Sequence, residues 1–193
     1  GLIVSGNNRF YALDKKQFRE FTTFLRGVLF NGKEDDLLSF LNRIKAPVIE
    51  TRPVPAVWVA AGNCLIGDAK KTKNSMAVTA LSRYGFNQLV GYTVPSWYGK
   101  GGWGTLGLLF SNHDASSLAE AWYLNNQFIL DETMTRFPKL MDVHFNSPDI
   151  NGIKNDPDFA RGMNSAGYGM GKDQLGLIHD RDTVAFYGDP AWT

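Results

Sequence analysis

The sequence predicts an α/β fold, a three-layer α/β/α sandwich with a mostly parallel sheet. Residues 56–61 (AVWVAA) are continuously apolar, as a parallel strand covered by helices on both faces should be. A helical segment at 74–84 and a second apolar run at 87–93 follow, and this strand–helix–strand order favours parallel strands. The 193 residues, 44% of them hydrophobic, are enough for a single domain with one core.

The other elements follow from apolar spacing and turn residues. Residues 2–5 (LIVS) form a short apolar run before Gly6, and we expect this strand to lie parallel beside 56–61 and 87–92. The predicted strands are therefore 2–5, 56–61, 87–93 and 182–187. The predicted helices are 14–45, interrupted at Asn31-Gly32, then 74–84 and 115–136. A further short helix is expected after the Gly-rich aromatic loop 96–104.

Residues from about 146 to 180 are rich in Asn, Gly, Asp, Ser and Pro and lack apolar periodicity. We therefore expect an irregular surface excursion there. The chain begins at Gly1 without a basic leader, and we expect 1–193 to be a single domain cut from a longer protein.

Composition excludes several classes of function. The net charge is +1, so no long-range field directs the protein to nucleic acid or to an anionic membrane, and 70–73 (KKTK) is expected to be a solvated loop. No apolar run reaches the roughly 18 residues of a membrane span. A single cysteine excludes an intrachain disulfide and a multi-thiolate zinc site, and the three histidines lack metal-ligand spacing. We therefore expect no metal and no cofactor.

Cys64 is the candidate nucleophile. It follows the strongest strand, and in open α/β sheets functional groups collect at the carboxyl ends of strands. Gly62 and Gly67 would let the backbone turn there and present N–H groups to an oxyanion. Spacing alone leaves open the alternative that Cys64 is a small buried residue that only packs.

The stretch VWVAAGNCLIG (57–67) resembles the apolar strand and nucleophilic cysteine of gingipain-like peptidases, which have a caspase-like fold. The segments 75–78 and 85–93 are similar to the helix and strand that follow that cysteine. Four segments closely resemble a bacterial subgroup of uncharacterised gingipain relatives: 92–99, 102–104, 118–121 and 188–191. The resemblance covers about 56–137 well, the ends thinly and 138–180 hardly at all.

The resemblance implies a Cys–His dyad, with the histidine following an apolar strand and Ser-Gly. Leu2–Gly6 matches that strand, but the next residue is Asn7, whose amide cannot accept a proton from a thiol. Either the protein is a natural non-catalyst, or residues are missing between Gly6 and Asn7. We favour the second, because 9–14 resembles a segment beyond the histidine. The resemblance also implies an extracellular, periplasmic or cell-surface location.

Other residues have weaker claims. Tyr92, Trp97 and Tyr98 are candidates for the walls of a substrate pocket, whereas core packing is the favoured role of Trp103. The remaining residues considered are expected to be ordinary loop, turn, surface or satisfied side chains: Asp68, Asp189, His113, His144 and His179.

The predicted function is hydrolysis of a peptide or protein by Cys64, with backbone N–H groups near Gly6 and Cys64 holding the oxyanion. The main alternative is a non-catalytic peptide- or glycan-binding module with a crevice formed by Tyr92, Trp97 and Tyr98. A third is a structural domain of a larger surface protein.

Overall fold

The computed structural model describes residues 2–6, 9–28, 34–51, 55–62, 64–70, 75–111, 117–145, 157–169 and 171–192. The chain is mixed α/β and divides into two compact units. The first comprises Gly1–Pro55 and Ala69–Phe86, and the second comprises Ala56–Asp68 and Asn87–Thr193. Among the described helices, none has the length and apolar character needed to span a membrane.

In the first unit, β1 (Leu2–Gly6) and β2 (Arg9–Leu13) form an antiparallel hairpin with Gly6 opposite Arg9. The prediction that residues 2–5 lie parallel beside 56–61 is therefore wrong, since β1 belongs to a separate two-stranded sheet. Only two residues connect β1 to β2, and so short a connection can join antiparallel strands only, because a parallel pair needs a crossover of a dozen or more residues.

Three helices complete the first unit: α1 (Lys15–Val28), α2 (Glu34–Arg43) and α3 (Met76–Arg83). Tyr84, which follows α3, stacks on Phe10 with ring centroids 4.4 Å apart, and its hydroxyl donates to the Ile49 carbonyl at 2.7 Å. The core of this unit comprises Tyr11, Leu13, Phe21, Phe40 and Leu41.

The sheet of the second unit has the order β3 (Ala56–Val59), β4 (Phe86–Tyr92), β5 (Val184–Gly188). It is mixed, because β5 runs antiparallel to β4. Since the three-stranded sheet is mixed and β4 and β5 are antiparallel, β3 and β4 run parallel as predicted. Among the described strands, however, β3 lies at the edge of the sheet and not in the middle. A buried apolar run reveals a strand, but it does not reveal the direction of its neighbour.

Four helices and a 3-10 helix belong to the second unit. The capping box of Ser117 and Glu120 fixes the start of α5, since each side chain accepts from the other residue's backbone N–H. The elements are α4 (Lys100–Ser111), α5 (Leu118–Arg136), the 3-10 helix (Pro138–Asp142), α6 (Pro157–Ala166) and α7 (Lys172–Thr183).

The prediction of an irregular excursion over 146–180 is wrong where the structure describes it, because α6 and most of α7 lie there; residues 146–156 lie outside the described residues. Phe159, Met163 and Ala166 form the buried side of α6. Their spacing of four and three residues is a helical stripe, which the polar composition around it concealed.

Candidate active site around Cys64

Cys64 lies on a turn shortly after β3, and its free thiol is exposed, as the nucleophile hypothesis requires. The next residue, Leu65, has a φ of 63°, in the left-handed region that a leucine rarely occupies. The backbone does turn at Gly62 and Gly67, as predicted, but the left-handed conformation within the turn belongs to Leu65 and to neither glycine. Strained backbone of this kind is concentrated at functional sites.

Gly67 has a different role, which is to let the turn approach β4. A Cβ on Gly67 would lie 2.4 Å from the Gly91 carbonyl oxygen, closer than any side chain permits. The Gly67 N–H donates to the Tyr92 carbonyl at 2.9 Å, and its own carbonyl accepts from the Tyr187 hydroxyl at 2.7 Å. The turn that carries Cys64 is thus attached to both β4 and β5.

The Cys64 sulfur faces Ser96. The Ser96 N–H donates to the sulfur at 3.2 Å, and the Ser96 hydroxyl oxygen lies 3.6 Å from it. That hydroxyl also donates to the Gly62 carbonyl at 3.1 Å. A backbone N–H directed at the sulfur stabilises negative charge there, which is the form in which a thiol reacts.

The peptide group between Pro95 and Ser96 connects the site to the core. Its N–H meets the Cys64 sulfur, while its carbonyl oxygen lies 3.2 Å from Nε2 of His179. Hydrogen bonds made through one peptide group polarise each other, so each strengthens the other. His179 is therefore connected to the sulfur through this peptide group and makes no described contact with the sulfur itself.

His179 is fully buried, and its Nδ1 lies 3.0 Å from Oδ1 of Asp180. The other carboxylate oxygen, Oδ2, accepts from the Gly101 N–H at 2.8 Å and from the Tyr92 hydroxyl at 3.2 Å. His179 is thus a satisfied core histidine, in agreement with the sequence analysis, and both its ring nitrogens are occupied.

Tyr92 does not line a pocket, so this part of the predicted crevice is wrong. Its side chain is fully buried, because the last residue of β4 points into the core. Burial, and then the nearby negative charge of Asp180, raise the pKa of Tyr92 far above its usual range. The phenol therefore remains a neutral donor to Asp180 and an acceptor from the Gly102 N–H.

Trp97 and Tyr98 are half-buried neighbours with ring centroids 5.8 Å apart, and Trp97 also packs against His179. The Tyr98 hydroxyl donates to Asp173 at 3.1 Å, and burial together with this bond raises the pKa of Tyr98 to about 12. Trp103 is 62% exposed, so its predicted core role is wrong. Tyr98 and Trp103 line the same open groove.

The other predicted residues make no contact with the Cys64 sulfur in the part of the chain that the structure describes, or lie outside that part. Gly6 pairs with Arg9 in the first unit, so its oxyanion role stays a prediction. Asp189 forms a turn, with its carboxylate accepting from the Ala191 N–H, and His144 is exposed near Asp182. The Gly6–Asn7 junction, His113 and most of 70–73 lie outside the described residues.

Within the described ranges, no cluster of three or more His, Cys, Asp or Glu side chains is placed to hold a metal ion. No family model, curated protein or solved structure matches the chain.

Proposed function

We propose that the protein is a cysteine peptidase in which Cys64 attacks the carbonyl carbon of a peptide bond. The observation that carries this proposal is the exposed sulfur, which is held on a strained turn and receives the Ser96 N–H. A cysteine that only packed would be buried, and no strain would be needed to present it. The resemblance of 57–67 to the nucleophile segment of gingipain-like peptidases supports the same role.

In the first step the Cys64 thiolate forms a bond to the carbonyl carbon, and the carbonyl electron pair moves to oxygen. The amide N–H groups of Cys64 and Leu65 donate to no described residue, and they are the proposed donors to this oxyanion. The C–N bond then breaks, the amine leaves with a proton from the base, and water hydrolyses the thioester.

The proposed base is a histidine other than His179, because both ring nitrogens of His179 already face oxygen atoms. Nδ1 of His144 faces Arg181 and Asp182, and His144 is not among the described contacts of the Cys64 sulfur. The resemblance places the base directly after Ser5-Gly6, where this sequence has Asn7. Sequencing the encoding DNA across this junction tests whether a histidine is present there.

Alkylation and hydrolysis test the nucleophile. Because Cys64 is the only cysteine, uptake of iodoacetamide reports on this residue alone. We expect faster alkylation than that of free cysteine at mildly acidic pH, and cleavage of a fluorogenic peptide mixture that Cys64→Ala abolishes without change in the circular dichroism spectrum. An alkylation rate equal to that of free cysteine, together with no cleavage, would contradict the proposal.

A non-catalytic peptide-binding module is the second candidate. The observation in its favour is that the described residues place no histidine in contact with the Cys64 sulfur. On this alternative, Cys64→Ala binds peptides as the unchanged protein does, and the unchanged protein cleaves none of them over long incubation.

A further inference from the structure

An open groove of about 520 Å³ lies between α4 and α5 in the second unit. Its walls are Trp103 on α4 and Phe128 on α5, which are 62% and 60% exposed. Two large aromatic side chains left in water on facing helices cost free energy, which a flat apolar group inserted between them would recover.

An acceptor on a largely buried side chain lies at the floor of this groove. Asn125 is only 6% exposed, and its Nδ2 donates to the carbonyls of Lys100 and Gly101 at 3.1 and 2.8 Å. These two bonds fix the orientation of the amide, so its oxygen Oδ1 lies beside Gly104. A Cβ on Gly104 would lie only 2.0 Å from this oxygen. Oδ1 accepts no hydrogen bond from the part of the chain that the structure describes. A nearly buried acceptor of this kind is stabilised by a donor on a ligand.

The charges at the rim of the groove are already paired. Lys100 binds Glu132 and lies over the Tyr98 ring, and Glu132 also binds Arg136. Arg136 in turn binds Asp173. Two cations and two carboxylates therefore neutralise each other, and an incoming cation would face Lys100. This arrangement favours a neutral ligand.

One wall of the groove lies against the segment that leads to Cys64. A Cβ on Gly62 would lie 3.2 Å from the indole nitrogen of Trp103, so this wall contacts the residue two before Cys64. The Gly62 carbonyl accepts from the hydroxyl of Ser96, and the Ser96 N–H donates to the Cys64 sulfur. Trp103 is therefore close enough to the Cys64 turn for one peptide to contact both.

We infer that the groove binds a tyrosine or tryptophan side chain of a peptide, with the ring between Trp103 and Phe128 and its hydroxyl or indole N–H donating to Asn125. The ligand thus combines a neutral aromatic ring with a donor. This inference names the substrate class of the proposed peptidase and rests on that function for cleavage, although not for binding.

Binding is measured on the Cys64→Ala protein, by calorimetry, with acetylated and amidated Ala-Ala-Xaa-Ala-Ala peptides in which Xaa is Tyr, Phe or Arg. We expect the Tyr peptide to bind about tenfold more tightly than the Phe peptide, because only Tyr supplies the donor. We expect the Arg peptide to bind more weakly than the Tyr peptide. Equal binding of the three, or tighter binding of the Arg peptide or of a neutral oligosaccharide, overturns the inference.

Matched variants locate the site. Trp103→Ala and Phe128→Ala should each weaken binding of the Tyr peptide about tenfold or more. Phe110→Ala on α4 and Tyr123→Ala on α5 are controls, since both side chains are exposed on the same helices and lie outside the groove lining. These controls should stay within twofold. Loss of binding in the controls, or none in Trp103→Ala, overturns the inference.

The outcomes also separate the two proposals. Tyr-selective binding without any cleavage by the Cys64 protein contradicts the peptidase and leaves the groove assignment standing. Cleavage at Cys64 that is indifferent to Tyr and to Trp103→Ala contradicts the groove assignment and leaves the nucleophile standing.

Discussion

Backbone groups, more than side chains, determine the surroundings of Cys64. The sulfur meets the Ser96 N–H, and the turn is held by the N–H and carbonyl of Gly67. The side chain of Leu65 is 47% exposed, so packing contributes little to its left-handed backbone conformation. The turn is therefore held by hydrogen bonds against a local backbone cost.

Replacing Leu65 by glycine tests this balance. Left-handed backbone costs a leucine about 1–2 kcal/mol, and the extra freedom of glycine in the unfolded chain offsets about 0.5–1 kcal/mol. We expect Leu65→Gly to raise the free energy of unfolding in urea by about 0.5–1 kcal/mol. We expect the alkylation rate of Cys64 to stay unchanged, because glycine keeps the left-handed conformation that holds the sulfur at the Ser96 N–H.

Lys45→Gly is the matched control. Lys45 has a φ of 51° just after α2 in the first unit, so it should gain similar stability. Its replacement should leave the alkylation rate unchanged. Slower alkylation in Leu65→Gly than in Lys45→Gly would show that the turn does not keep its conformation, and would contradict this balance.

At the scale of elements, the first turn of α4 is in contact with the backbone after β3. A Cβ on Gly102 would lie 2.0 Å from the Ala61 carbonyl oxygen, whereas a Cβ on Gly107 in the same helix would meet nothing within 4 Å. The two glycines thus share a helix and differ in their surroundings. The close approach between α4 and the end of β3 therefore depends on Gly102 and not on Gly107.

Alanine substitutions should therefore act in opposite directions. Gly107→Ala should raise the free energy of unfolding by about 0.5–1 kcal/mol, since alanine favours a helix more than glycine does. Gly102→Ala should lower it by roughly 1–3 kcal/mol, because the added methyl group overlaps backbone that cannot move aside. Urea denaturation of both variants measures the difference, and a similar gain in both would refute the close packing.

Several elements were predictable because their apolar residues are continuous or helically spaced. β3, α3, β4 and α5 were found in this way. The antiparallel pairing of β1 with β2 and of β5 with β4 was not predicted, since an apolar run does not encode the direction of its neighbour. At the site, Cys64 followed from its place after a strand. The part that His179 plays behind the site was not predicted, although the adjacent polar residues His179 and Asp180 within α7 are a signal for it in the sequence.

At the scale of the whole molecule, the near-zero net charge hides a local network of charges between α4, α5 and α7. The hydrogen bond from Lys100 lowers the pKa of Glu132, and those from Arg136 and then Tyr98 lower the pKa of Asp173. A carboxylate whose pKa is lowered in the folded protein contributes stability at pH values above its usual pKa. This stability is lost as the pH falls through the lowered pKa. Both side chains are partly exposed, so screening by solvent keeps the effect in acid small.

The alkaline side gives a clearer prediction. The pKa of Tyr98 is raised to about 12, so the stability it contributes is complete below pH 10 and is lost as the pH rises towards 12. We expect the free energy of unfolding to fall less steeply over this interval in Tyr98→Phe than in the unchanged protein. Urea denaturation at several pH values measures both slopes. Identical slopes would contradict the raised pKa.

The peptide group between Pro95 and Ser96 also limits how fast the surroundings of Cys64 can rearrange. Because the group is planar, its N–H cannot rotate away from the Cys64 sulfur unless its carbonyl also leaves buried His179. The rate at which this exposed site rearranges is therefore set by motions of the core, which are slower than those of an ordinary surface loop. A substrate arriving by diffusion meets a nucleophile whose immediate surroundings are already in place, and its association requires no prior conformational step there.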